Sequence, residues 1–282
     1  MRITTLIENR PCETDDRLQS EWGLSLHISF NGRNLLFDTG STGAFAKNAE
    51  LLSIDLAAVE TAILSHHHND HGGGLMRFFE ANPVAKVHLG QLPRGECFLR
   101  PLPFIKKYVG LDNAFMASFA NRFNTVTEPA EILPDVFVFP HISGSFPKPA
   151  GNKRIFVRRD GKLVLDDFNH EIVMAIKENN KLVIFTGCSH NGILNMVDTV
   201  ARELTGIPVK AVIGGFHLIA SPPFNFIAGG KRGVEDLSKS ILDYPIDQAF
   251  TGHCTGTKAF AILKNVMGEH LTDMRTGSRF EV

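Results

Sequence analysis

A strand-like run that breaks into a histidine cluster and then into a helix constrains this chain more than any other feature. Thr61-Ala62-Ile63-Leu64-Ser65 is short and apolar, and Leu75-Met76-Arg77-Phe78-Phe79-Glu80-Ala81-Asn82-Pro83 reads as a helix closed by proline. Between them stands His66-His67-His68-Asn69-Asp70-His71-Gly72-Gly73-Gly74, which holds four of the chain's twelve histidines. A strand-to-helix junction is fixed at both ends, so its loop can aim side chains at a common point. The same alternation runs through the chain. Residues 3–8 and 24–30 read as strands, and GRNLLFDTG follows as turn, strand and stop, predicting an antiparallel start. Helix over 44–54 and strand over 85–90 follow. Further strands are expected at 135–143, 172–179, 181–187 and 209–217, and helix at 191–206. Residues 238–268 give helix, strand, loop and helix. This order predicts α/β architecture, a sandwich of two mixed sheets with helices outside. From Gln91 to Phe123 the pattern loosens, and Phe98, Phe104, Phe115, Phe119 and Phe123 stand among Pro and Gly. They are read either as core filler or as an apolar cap over a cleft.

The spacing inside the cluster has chemical content. His66 and His68 project to the same side of extended backbone and can converge on one ion, while Asp70 and His71 swing toward a neighbouring one. Two imidazoles do not close a site, which takes three or four protein ligands; imidazole with carboxylate suits Zn, Fe or Mn. His67 is out of phase and reads as a packing residue. Gly72, Gly73 and Gly74 are read as permitting backbone conformations that bulkier residues resist.

Charge and cysteine usage exclude several functions. The chain has 29 basic and 30 acidic side chains, formal charge -1, so it offers no footprint for nucleic acid or an anionic membrane. Cys12, Cys97, Cys188 and Cys254 form no CxxC pair, and the N-terminus carries no secretory signature. No apolar run reaches the roughly 18 to 20 residues of a membrane span. A soluble cytoplasmic protein is the expectation.

The motifs together carry a family resemblance. HHHNDH, preceded by LLFDTG and TAILS, resembles the metallo-β-lactamase superfamily. The ordered run EWGLSL, LFDTG, SHHHNDHGGGL, LVIFTGCSHNGILN, VIGGFHL and TGHCTGTKA, spanning Glu21 to Ala259, is similar to the dihydropterin-ribofuranosylaminobenzene 5'-phosphate synthase-like family. The resemblance implies a four-layer αββα sandwich of two mixed β-sheets with outer helices. It implies one domain over 1–282 with an insertion or cap at about 91–150.

It also implies a dinuclear site with two divalent ions, Zn favoured and Mn or Fe as alternatives. His66 and His68 go to one metal, Asp70 and His71 to the other, and His253 completes the second. Cys188 falls where the superfamily often has a bridging aspartate. The third ligand of the first metal is drawn from His190, Asp167 or His170, with His190 favoured because it lies two residues beyond Cys188. Asp70 and His217 are the expected catalytic residues, His217 as substrate contact or acid. Asp38 reads as turn-forming or as a support behind the ligands. Glu21 is normally followed in the family by His-Gly, and Trp22 replaces that histidine. Lys231 and Arg232 offer an anion cradle. The implied activity is metal-dependent hydrolysis of an ester, phosphoester or pyrophosphate-bearing small molecule, or dihydropterin-type synthase chemistry. The implied partner is a small, phosphorylated substrate, with a homo-oligomer compatible. The rivals are a non-catalytic metal-binding sensor or scaffold and a mononuclear iron oxygenase.

Overall fold

The computed structural model describes residues 1–282 except 103, 222 and 223. Its contacts divide the chain into two compact units. The first comprises Met1–Gln91, Val109–Thr127 and Met274–Val282; the second comprises Leu92–Tyr108 and Glu128–Asp273.

The first unit is built on a mixed seven-stranded sheet. Its order is Arg279–Glu281, Arg2–Ile7, Ser25–Phe30, Arg33–Phe37, Thr61–Leu64, Lys86–Leu89 and Phe123–Thr125. The early strands are antiparallel, as expected, because Asn31-Gly32 closes a two-residue hairpin with both residues at positive φ. From Arg33–Phe37 onward the neighbours run parallel. Helices Ala44–Leu51 and Leu75–Ala81 place Phe45, Ala49, Leu75 and Phe78 in a core with Leu36, Leu64 and Val87.

The second unit has its own mixed seven-stranded sheet. Its order is Leu271–Asp273, Ile246–Thr251, Val209–Ile213, Lys181–Phe185, Val173–Glu178, Val136–Phe139 and Ala130–Leu133. The first four of these run parallel. Helices Ile193–Glu203, Gly230–Asp243 and Thr257–Met267 supply Met196, Val200, Val234, Ile241 and Leu263 to a core with Val173, Ile184 and Val212. No helix among the described residues is long and apolar enough to cross a membrane.

The segment expected to be loose is ordered. Glu96–Leu102 and Ile105–Tyr108 join Ile155–Arg159 and Lys162–Leu165 in a four-stranded sheet of the second unit. Proline inside a strand argues against the strand reading, but Pro101 lies beyond the ladder that pairs Glu96 to Leu99 with Ile155 to Arg158. The partner hairpin turns at Asp160-Gly161, both at positive φ, a sequence signal the pattern reading passed over. Phe115, Phe119 and Phe123 pack on Phe79 against the first unit's core, which is the filler role. Phe98 is buried against Tyr108 and Arg158 in the second unit, whereas Phe104 is fully exposed and fills no core.

Candidate metal centre

The metal-type donors of each unit follow the C-terminal ends of parallel strands, where open α/β sheets place their ligands. In the first unit Asp38 follows Arg33–Phe37, and His66 to His71 follow Thr61–Leu64. His66, His68 and His71 are buried. His66 Nε2 lies 3.1 Å from His68 Nδ1. Two nitrogens on one tetrahedral ion stand about 3.4 Å apart, so this pair fits a shared metal. The loop is pinned by the Asn69 N–H on the Val109 carbonyl and by the His68 pairing with Gly110.

Asp38 is held at a left-handed φ of 59° beside this loop. Its Oδ1 accepts from the Ser65 N–H at 2.7 Å, and its Oδ2 faces Ser65 Oγ at 2.7 Å and His71 Nδ1 at 2.6 Å. A carboxylate there fixes the proton on Nδ1 and directs the lone pair to Nε2, the arrangement seen behind metal-bound histidines. Trp22 donates its indole N–H to Asp70 Oδ2 at 2.9 Å, occupying one oxygen of that carboxylate. Glu21 meanwhile accepts from the Ser41 and Thr42 backbone N–H groups. His67 is buried away from the pair, its Nε2 3.5 Å from the Gly90 carbonyl. The glycines act by close approach and not by unusual conformation. Gly73 and Gly74 have ordinary negative φ, but a Cβ would fall 2.1 Å from the Ser41 carbonyl oxygen at Gly73 and 2.3 Å from that of Thr39 at Gly74.

In the second unit Cys188, His217 and His253 follow the adjacent strands Lys181–Phe185, Val209–Ile213 and Ile246–Thr251. Cys188 Sγ lies 3.3 Å from His253 Nε2. His190 is locked on three sides. Phe168 stacks on it with ring centroids 4.2 Å apart and planes at 6°. Glu171, buried and with its carboxyl pushed up by burial against the backbone donors it accepts, takes the His190 and Asn191 N–H groups. Asn152 donates its amide to the His190 carbonyl at 2.7 Å, which turns its oxygen toward His190 Nδ1 at 3.1 Å. The proton is therefore on Nδ1 and the lone pair on Nε2.

His217, expected to contact substrate or donate a proton, lies with its ring 4.1 Å from that of His190. One ligand atom each of Cys188, His190 and His217 fall within 4.8 Å of one another. Cys254 is buried beside them. Burial raises its thiol pKa, but Cys188, His253 and His217 outweigh this and hold it well below the usual range.

Asp167 does not serve as a ligand stand-in, because it pairs with Arg159 at 2.9 Å and Arg94 at 3.5 Å at the surface. Its neighbour Asp166 is the buried carboxylate, 3.3 Å from His170 Nε2 and 3.8 Å from Cys97 Sγ. Sequence reading missed both Cys97 and Asp166. Neither belongs to a compact motif, and only the strand Glu96–Leu102 brings Cys97 there. Lys231 and Arg232 are exposed, 3.6 Å from Glu235 and 3.9 Å from Asp236. Asp38, Phe168, Ser189, His217 and His253 all have φ between 47° and 60°. Left-handed non-glycine residues cost about 1 to 3 kcal/mol each and gather at functional sites.

The model of the metallo-β-lactamase superfamily matches residues 25–92. A crystal structure described as a metal-dependent hydrolase of the β-lactamase superfamily aligns over 100% of this chain and 99% of its own, with TM-score 0.80 and 27% identity. Zn2+-bound PqqB from Methylobacterium extorquens aligns over 100% of both chains, with TM-score 0.59 and 13% identity, a likeness of fold. The chain belongs to the metallo-β-lactamase superfamily and has the fold of its metal-dependent hydrolases. Within it, the chain is similar to the 7,8-dihydropterin-6-methyl-4-(beta-D-ribofuranosyl)-aminobenzene-5'-phosphate synthase of Methanocaldococcus jannaschii. The two are 30% identical over 262 residues, 85% of this chain and 83% of the relative. An uncharacterized protein of the same organism is 27% identical over 258 residues, 88% of this chain and 89% of its own.

Proposed function

We propose that this chain is an enzyme that uses two divalent ions, Zn favoured over Mn or Fe by the sulfur of Cys188, to act on a small phosphorylated molecule. One observation carries the reading. In each unit the donors follow parallel strands, and a side-chain oxygen, of buried Asp38 behind His71 and of half-buried Asn152 behind His190, dictates which imidazole nitrogen offers its lone pair. His66, His68, Asp70 and His71 are the donors the first unit would offer such ions, and Cys188, His190 and His253 those the second would offer, an assignment that follows motif order and donor chemistry. Bound ions would supply Lewis acidity and a water whose pKa falls to about 7.

The chain's own residues do the positioning. Asp38 holds the His71 proton on Nδ1, and Trp22 fixes one oxygen of Asp70, so the other oxygen has a defined direction. Phe168 and Glu171 hold the His190 ring and backbone in place. The synthase name of the Methanocaldococcus jannaschii relative, with its 5'-phosphate, supports a phosphorylated substrate. Hydrolysis of a phosphoester and displacement of a phosphate-type leaving group by another nucleophile use the same donors.

The test measures metal content and turnover of phosphomonoesters, phosphodiesters and pyrophosphates before and after chelation. About two equivalents of metal per chain, and turnover lost on chelation and restored by the ion, are expected. One tightly held equivalent without turnover of any substrate would instead make the chain a metal-binding sensor or scaffold. Iron with oxygen uptake would make it an oxygenase.

A further inference from the structure

We infer that the hairpin of Glu96–Leu102 and Ile105–Tyr108 docks this chain on an anionic lipid surface. Its apolar tip enters the headgroup boundary while lysines and arginines of its sheet face the lipid phosphates. The inference lies outside the metal-dependent reading and does not rest on it.

The tip comes first. Leu102 and Ile105 pair at the end of the hairpin, 57% and 51% exposed, and Phe104, between them in sequence, is 100% exposed. A scattered exposed leucine needs no explanation, but three large apolar side chains bared within four consecutive positions do. The Arg154 guanidinium donates to the Pro101 carbonyl, which ties the approach to the tip to the neighbouring segment.

The charge comes second. Residues 96–108 and 153–165, which include the four strands of this sheet, hold eight Lys or Arg against two acids, Glu96 and Asp160. The formal charge of -1 on the whole chain conceals this local excess, so the missing footprint read from composition does not extend to this sheet. Arg158 is taken by Glu96 and Arg159 by Asp167, whereas Lys106, Lys107, Lys153, Arg154 and Lys162 are exposed.

The choice of occupant comes third. Ile105–Tyr108 is an edge strand that a second copy could extend, but Lys106 and Lys107 put two charges on that edge, and two such edges repel. Single-stranded nucleic acid needs open aromatic faces. Phe98 is 5% exposed, its ring covered by the Lys106 ammonium at 5.0 Å and the Arg158 guanidinium at 4.6 Å. A bilayer takes both halves of the feature, the apolar tip and the cations behind it. Tyr108, 41% exposed beside Phe98, is of the residue type that sits at headgroup level.

The test is co-sedimentation of the full-length chain with vesicles of phosphatidylcholine alone and of phosphatidylcholine carrying about 30% phosphatidylglycerol, in about 0.1 M salt. Binding to the anionic vesicles is expected to be at least about tenfold tighter than to the neutral ones and to weaken as salt is raised. Phe104→Ser is expected to weaken it about tenfold, and Lys106→Gln with Lys107→Gln about tenfold or more. Lys47→Gln, on helix Ala44–Leu51 of the first unit, is expected to stay within twofold. Equal sedimentation with both vesicle types, or with neither, overturns the inference, as does a Lys47→Gln effect as large as that of the double variant. Should the hairpin variants fail to fold, Phe104→Trp decides. Its emission, beyond that of Trp22, moves to the blue on anionic vesicles if the tip inserts, and an unmoved emission overturns the inference. A dimer that Phe104→Ser dissociates, or an oligonucleotide bound where vesicles are not, would assign the hairpin to a second copy or to nucleic acid, and either overturns it. Vesicle binding is expected to survive removal of metal, so the failure of this inference and that of the metal-dependent reading are seen separately.

Discussion

Replacing Asp38 by asparagine tests the support of the first unit's histidines with little change of shape. Both carboxylate oxygens accept: Oδ1 from the Ser65 N–H, Oδ2 from Ser65 Oγ and from His71 Nδ1. Asparagine tolerates the left-handed φ of 59° as well as aspartate does, so the backbone adds no new strain. Its NH2 group cannot face the Ser65 N–H, because two donors would meet. It must take the Oδ2 position, where Ser65 Oγ can accept instead of donate, and His71 can do the same only by moving its proton from Nδ1 to Nε2. Asp38→Asn therefore satisfies the buried network at a cost of about 1 to 3 kcal/mol, the loss of charge assistance. It also places a proton on the nitrogen that would otherwise carry the lone pair. Metal affinity is expected to fall about 10- to 100-fold, or about 1.4 to 2.7 kcal/mol. Asp38→Ala leaves several buried donors without an acceptor and is expected to destabilise by more than Asp38→Asn. Urea unfolding of the metal-free chain gives the stability difference, and calorimetric titration with Zn gives the affinity. Asp38→Asn that keeps Zn affinity within twofold would refute the tautomer argument.

Asn152→Ala is expected to weaken metal binding about tenfold by releasing the His190 ring, while Asn152→Asp keeps the acceptor and retains more of the affinity; Zn titration of both variants compares them. Trp22→Phe removes the donor to Asp70 and is expected to lower turnover per bound metal, with metal content, measured by elemental analysis, unchanged. Phe79→Ala deletes the ring on which Phe115, Phe119, Phe123 and the Arg122 guanidinium pack, so chemical unfolding is expected to show a loss of about 3 to 5 kcal/mol. Burial pushes the Asp198 carboxyl up, but Ser143, Ser145 and Arg202 outweigh it and hold the carboxyl below its ordinary value. With the folded pKa depressed, this stability is complete above about pH 4 and is lost as pH falls toward the folded value. Thermal melts of Asp198→Asn against pH are expected to start lower and to vary less over that acid range.

The strand-helix alternation was legible because each run is short, apolar and bounded by Gly, Pro or Asn, as in Lys181–Phe185 after Asn179-Asn180. The histidine loop was legible because its donors are adjacent in sequence. Asn152, Phe168 and Glu171 were not, since their contribution to His190 comes from three-dimensional contacts with a residue 19 to 38 positions away. Asp166 was missed for the same reason, and its acidic neighbour Asp167 drew the reading to a residue that two arginines hold at the surface. By type, the glycines after His71 signal conformational freedom. Their requirement is the close approach of Ser41 and Thr39, which no local pattern encodes.

Metal stoichiometry measured together with phosphoester turnover tests the central claim most directly. About two equivalents of divalent metal per purified chain, with turnover abolished by chelation and recovered on adding Zn, are predicted. Turnover that survives complete removal of the metal, or a chain that takes up none, would contradict it.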